Sequence, residues 1–183
     1  MRITGGEYRG IPLLGPKTDA IRPTSDKARL AVFNSLQSGR FDNDLDDALV
    51  LDGTAGTGAM GIEALSRGAA FVHFADPWRD ALQIVQQNLD KAKITKDRYR
   101  LHSGKAEGLQ PTDKPMTVIF LDPPYRNKML PGMIDHLVKQ GWADEDTLFV
   151  VEDDKHEAPP SNLAIIDQKI YGAAQVIYGR TPK

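Results

Sequence analysis

Leu51-Asp52-Gly53-Thr54-Ala55-Gly56-Thr57-Gly58-Ala59-Met60-Gly61 decides how the rest of the chain is read. It follows the wholly apolar run Ala48-Leu49-Val50-Leu51, the pattern of a strand buried on both faces. It leads into Ala59-Met60-Gly61-Ile62-Glu63-Ala64-Leu65, which reads as a helix stopped by Gly68. Glycines in such a turn let the backbone approach a ligand with no Cβ in the way, and the helix behind them offers free N–H groups. Gly56, Gly58 and Gly61 fit G-x-G-x-x-G, and Asp76 follows Gly56 by 20 residues. That is the spacing at which an acid grips a ribose hydroxyl. A nucleoside-containing cofactor is expected, with Asp52, Gly53, Thr54, Gly56, Gly58, Asp76 and Pro77 in its site.

Two cofactors compete for such a loop, NAD and S-adenosylmethionine. Asp52 stands four residues before Gly56, at the strand end. A carboxylate there opposes a pyrophosphate but suits the cationic side of S-adenosylmethionine.

Outward from the loop, strands and helices alternate. Phe71–Ala75, Tyr99–His102, Thr117–Leu121 and Leu148–Val151 read as further strands, the second of them weak. Leu82, Val85 and Leu89 mark a helix over 78–92; Met133, Ile134 and Leu137 mark one over 128–140. Alternation of this kind predicts an α/β fold with a parallel, doubly wound sheet. The tail predicts two strands, 163–171 and 174–179, turning at Gly172. Ahead of the loop, residues 2–14 read as an extended pair and 26–38 as a helix.

Ile119-Phe120-Leu121-Asp122-Pro123-Pro124-Tyr125 puts a rigid, polar, aromatic loop at the carboxyl end of a buried strand, the edge where open α/β sheets bind ligands. Asp122 can accept a hydrogen bond from an exocyclic amino group. Pro123 and Pro124 restrict the backbone, so that a carbonyl is aimed as a second acceptor. Tyr125 offers a face on which a base stacks, worth about 1–3 kcal/mol. Together they suit an amino nitrogen held toward a methyl donor.

Asp122-Pro123-Pro124-Tyr125 matches the amino-methyltransferase motif of class I S-adenosylmethionine-dependent enzymes. The chain resembles more specifically the bacterial 16S rRNA (guanine-N2)-methyltransferase family. The likeness lies in Arg2-Ile3-Thr4-Gly5-Gly6-Glu7-Tyr8-Arg9-Gly10, Ile21-Arg22-Pro23-Thr24-Ser25-Asp26-Lys27-Ala28-Arg29 with Phe33-Asn34, the glycine loop through Ala69, and the Asp122 motif. It implies a Rossmann-like fold with a seven-stranded, mostly parallel sheet and helices on both faces, plus a short N-terminal hairpin-and-helix arm. It also implies a methyl group moved from S-adenosyl-L-methionine to the N2 of one guanine in 16S rRNA, within the small subunit or an assembly intermediate. Asp52, Gly56, Gly58 and Asp76 carry over as cofactor residues, and Asp122 through Tyr125 as the catalytic loop. Ser103-Gly104-Lys105-Ala106 departs from the family, putting Lys105 where an acid usually meets the adenine. A neighbouring backbone oxygen is the substitute, and Ala106 joins the expected cofactor site. Trp78 replaces a more usual polar residue after Asp76, and core packing is its expected role.

The net charge of −2 excludes a uniformly basic binder but conceals an asymmetry. Residues 1–40 carry seven bases and three acids; the other 143 carry 16 bases and 22 acids. A basic arm (1–40) ahead of a methyltransferase domain (41–183) is expected to meet RNA phosphates. Arg9, Arg22 and Arg29 are the leading contacts, and Arg22 with Thr24 faces either RNA or the cofactor's methionine end. The 183 residues, 40% hydrophobic, suffice for a core. The chain has no cysteine, which removes disulfides, thiolate zinc sites and cysteine nucleophiles. His73, His102, His136 and His156 form no ligand-spaced pair, so no metal is expected. No apolar run approaches the ~20 residues of a membrane span. A cytoplasmic monomer is the expectation. Two other readings remain open: a NAD-binding oxidoreductase, and a non-catalytic RNA-binding module with a decayed cofactor pocket.

Overall fold

The wholly apolar runs of the sequence become the central strands of one sheet. The computed structural model describes residues 1–15, 26–42, 45–123 and 129–182. Within them the strands are β1 (Leu49–Asp52), β2 (Phe71–Asp76), β3 (Tyr99–Ser103), β4 (Val118–Leu121), β5 (Leu148–Asp154), β6 (Ala164–Tyr171) and β7 (Ala174–Arg180). The helices are α1 (Asp26–Leu36), α2 (Ala59–Ser66), α3 (Arg79–Lys91) and α4 (Leu130–Lys139). The strand order is β3-β2-β1-β4-β5-β7-β6. The first five strands run parallel, and β7 enters antiparallel between β5 and β6.

Side-chain alternation splits the core into two layers. Val50, Phe74, Phe120 and Val150 face α1, α2 and α3, whereas Leu51, Ile119, Leu121 and Val151 face α4. The helices answer with apolar stripes: Leu82, Val85 and Leu89 of α3 on one side, Met133, Ile134 and Leu137 of α4 on the other. Successive strands are laid down from β1 toward β3, and then from β4 on the opposite side of β1. The chain therefore changes direction between β1 and β4, which opens a crevice beyond their carboxyl ends.

Described residues of the expected 1–40 arm pack into this core. Ile3, Leu13, Val32, Phe33 and Leu36 belong to the same buried cluster as the strands. The Phe33 ring lies 5.6 Å from that of Phe120, and Phe41 stacks on Tyr178 at 4.7 Å. The extended pair expected over 2–14 reduces to a single antiparallel bridge, Arg2 with Pro12. On either side of it the Ile3 N–H donates to the Ile11 carbonyl at 3.0 Å and the Leu13 N–H to the Met1 carbonyl at 3.1 Å. The first helix ends at Leu36, two residues short of the expected bound. No helix among the described residues is long and apolar enough to cross a membrane.

Candidate active site

The glycine loop is tied to both neighbours of β1. The Gly53 N–H donates to the Phe120 carbonyl at 2.9 Å, and the Ala55 N–H to the Ala75 carbonyl at 3.0 Å. Gly58 opens α2 at φ +77°, a left-handed conformation that side chains other than glycine rarely adopt. A Cβ on Gly61 would sit 2.3 Å from the Phe74 ring, so glycine there sets how closely α2 lies on the sheet. The Gly61 N–H in turn donates to Asp52 Oδ2 at 3.0 Å.

The resulting cavity lies at the switch between β1 and β4. Of the residues expected to hold cofactor, Asp52, Thr54, Gly56, Asp76 and Pro77 line it, and Asp122 of the expected catalytic loop faces them across it. Asp76 is fixed from two sides, accepting from Gly56 N–H and Trp78 N–H, each at 2.9 Å. The Asp122 N–H donates to Thr54 Oγ1 at 2.6 Å, which couples the glycine loop to the end of β4.

The structure places other expected residues elsewhere. Gly53 is not among the lining residues, and a Cβ there would meet Leu121 at 2.8 Å. Gly58 is likewise packed against Val85 and Ile62. Ala106 is buried within the α4-side core, outside the cavity lining. Lys105 lines a second cavity, with Arg100 and His102. Trp78 is 57% exposed at the rim of the first cavity, not packed in the core. Pro123 is buried. Pro124 and Tyr125, like Arg22 and Thr24, lie outside the described residues.

The cavity is acidic at its floor. Asp52 is 2% exposed, and burial pushes its carboxyl up to about 7, the Gly61 hydrogen bond opposing and Asp76 adding to the rise. The Asp122 carboxyl is pushed up to about 8, first by loss of water among the surrounding groups and then by Glu152, Asp52 and Asp153. Asp122 nevertheless opens on the cavity mouth, so bulk water softens the first of these causes. Glu152 also lines the cavity and escaped the sequence reading. The signal was present: it ends the apolar run Leu148-Phe149-Val150-Val151 just as Asp52 and Asp122 end theirs.

Arg29 does not face outward. It is fully buried, with Nε 3.3 Å from Glu63 Oε2 and Nη2 2.8 Å from Asp26 Oδ1, and it also donates to the Arg2 carbonyl. A guanidinium enclosed by two carboxylates and a carbonyl is a clasp, and RNA has no access to it. Arg9 is exposed on the turn over residues 5–10. His73 and His102, which have no chelating spacing in sequence, meet across β2 and β3 with Nδ1 and Nε2 2.8 Å apart, both edge-on to Trp142. Burial holds both imidazoles below the usual histidine range, His73 at about 4.

Comparison with known proteins agrees with this architecture. A family model described as "Conserved hypothetical protein 95" matches residues 1–180. The chain is 35% identical over 181 residues to an Escherichia coli protein named "Ribosomal RNA small subunit methyltransferase D", covering 97% of this chain and 87% of the relative. The solved structure titled "Putative methyltransferase yhhF from Escherichia coli" superposes with a TM-score of 0.81 at 30% identity, over 100% of this chain and 99% of that one. The fold extends to a Synechocystis magnesium protoporphyrin IX methyltransferase solved with bound SAM, at a TM-score of 0.64 and 14% identity, over 84% of this chain and 79% of that one. A match across almost the whole chain, carried on the same Rossmann-like methyltransferase fold, establishes that the protein belongs to the Conserved hypothetical protein 95 family.

Proposed function

We propose that this protein transfers a methyl group from S-adenosylmethionine to the exocyclic N2 of a guanine in 16S rRNA, in the small subunit or an assembly intermediate. The observation that carries the reading is a single cavity with Asp52 and Asp76 on the glycine-loop side and Asp122 at the end of β4.

The residues present fit that cofactor. Asp52 is a buried acid whose raised pKa means that a cation brought beside it would ionise it. That suits the amino-acid and sulfonium end. Asp76 is oriented by two backbone N–H groups and has carboxylate lone pairs left for ribose hydroxyls. Trp78 at the rim offers an apolar face for the adenine. When bound, S-adenosylmethionine supplies a methyl group on positively charged sulfur for direct transfer to nitrogen.

The protein's own contribution is position. Guanine N2 is within reach only once the base is unstacked or splayed. In this reading Tyr125 stacks on the base, while the Asp122 carboxylate and the Pro123 carbonyl accept the two amino hydrogens. In-plane acceptors leave the out-of-plane lobe of the nitrogen free to attack. With its methyl given up to nitrogen the bound donor would leave as S-adenosylhomocysteine, and the amino proton would pass to water. No strong base is needed, and the acceleration comes mainly from alignment. Arg9, and Arg22 with Thr24, are proposed to meet the RNA; Arg29 is not among them.

The test is incubation with methyl-labelled S-adenosylmethionine and, separately, naked 16S rRNA and small subunits, followed by nucleoside analysis. N2-methylguanosine in one of these is the expected product. No transfer to any RNA form, with cofactor binding shown by calorimetry, overturns the proposal.

A further inference from the structure

The mechanism above uses Asp52 for the cofactor and Asp122 for the amino group, and leaves Glu152 with nothing to do. Its position is nonetheless specific. In the parallel pairing of β4 with β5, Leu121 is partnered by Val151. Asp122 immediately follows β4 and Glu152 is the next residue of β5, and neighbouring strands are about 4.8 Å apart. Phe120 and Val150 face the α1–α3 layer, and Leu121 and Val151 the α4 layer. Alternation therefore returns Asp122 and Glu152 together to the first side, where both line the cavity. Asp52, in register with Phe120, lies on the same side two residues farther back.

Like charges side by side at a cavity repel, and a ligand that brings donors or cations to them lowers that cost. One cation, at the cofactor's sulfur end, accounts for Asp52. The two remaining carboxylates accept hydrogen bonds and, when ionised, donate none. Among the amino-bearing bases, adenine and cytosine place a ring nitrogen lone pair beside the amino group. Guanine places N1–H there, so N1 and N2 present two adjacent donors. We infer that Glu152 is the specificity-determining residue of the site, its carboxylate accepting the guanine N1–H while Asp122 accepts from N2. This rests on the proposed guanine chemistry and adds the reason for it. Adenine or cytosine would set a lone pair against Glu152, and an acceptor facing an acceptor in a partly dry site is rejected strongly. The upward shift of the Asp122 carboxyl, to which Glu152 contributes, is the electrostatic cost that guanine's donors relieve.

The test uses reconstituted small subunits, or naked 16S rRNA if that is the better wild-type substrate. The guanine methylated by the wild-type protein is replaced, by ligation, with 2-aminopurine. That base keeps the 2-amino group but carries a lone pair at N1. The wild-type protein is expected to favour guanine over 2-aminopurine by at least ~100-fold in kcat/KM. Glu152→Gln, whose amide can donate to the lone pair, is expected to bring that ratio within ~10-fold, with S-adenosylhomocysteine affinity unchanged. A wild-type ratio below threefold overturns the inference without any variant. So does a Glu152→Gln protein that binds S-adenosylhomocysteine normally yet keeps the wild-type ratio, or loses activity equally on both bases. If the wild-type protein methylates no guanine N2 at all, the functional proposal itself has failed, and that is seen first.

Discussion

Glu63 and Asp122 are two acids set within the same protein, and they keep opposite company. Glu63 is fully buried, and every neighbour it meets is a donor. Its Oε1 accepts from the Thr4 hydroxyl at 2.6 Å and Arg67 Nε at 2.9 Å; its Oε2 accepts from Thr4 N–H at 2.8 Å and Arg29 Nε at 3.3 Å. Asp122 faces a cavity shared with Asp52 and Glu152, and its carboxyl is driven upward rather than satisfied. An acid closed off by its own cations holds a fold together. An acid left among other acids, where a ligand can enter, is kept for that ligand.

The contrast is most easily broken at Glu63. Glu63→Ala strands the buried Arg29 guanidinium, and losing one partner of a buried pair costs about 3–5 kcal/mol. A drop in Tm on the order of 10 °C is expected in thermal melts. A drop of under ~2 °C would show that the clasp does little for the fold. Asp122→Asn is expected to behave inversely, lowering kcat by about 10²–10³-fold while leaving Tm and cofactor affinity nearly unchanged. Because the ionised carboxylate is the stronger acceptor and carries no competing O–H, kcat/KM for RNA should rise with pH toward a plateau above about 8. Glu152→Gln removes a like charge and should move that inflection down. An inflection that stays put would separate the two acids electrostatically.

Asp52 tests whether an acid kept for a ligand costs stability. Its folded pKa of about 7 stands above the ordinary aspartate value of 3.8. Between those pH values the folded protein holds a proton that the unfolded chain has released, so stability falls as pH rises through the window. Above it the cost is fully present. Asp52→Asn is therefore expected to stabilise the cofactor-free protein by about 1 kcal/mol at pH 8 and to weaken cofactor binding about tenfold. Denaturant melts and calorimetry read the two effects; loss of stability would contradict the assignment. The smallest effect belongs to exposed Arg9. Arg9→Ala should weaken RNA binding less than tenfold, lower the salt slope by about 1 and leave the fold intact. An unchanged salt slope would remove Arg9 from the RNA-binding surface.

Much of the fold was readable because the signals are local. The runs ending at Asp52, Asp122 and Glu152 are apolar because parallel strands are buried on both faces, and they announce themselves within a few residues. The glycine loop was equally plain, yet its glycines divide. Gly56 borders the cavity, while Gly53 and Gly58 give space to Leu121 and Val85. Sequence shows that a position must be small and not which neighbour requires it. Arg29 was misread for a related reason. Its charge counted toward a basic arm, but its partner Glu63 is 34 residues away on another helix. His73 and His102, 29 residues apart, looked unrelated until β2 and β3 paired.

The sequence by itself determined the order of strands and helices, the cradle after β1, and an acid at the end of each of three apolar runs. These depend on backbone conformation and burial within single elements. Only the tertiary structure decided that Asp52, Asp122 and Glu152 share one cavity while Glu63 is sealed among arginines. Strand order and helix docking bring distant residues within a few ångströms. Electrostatic energy is set by that separation, and not by distance along the chain.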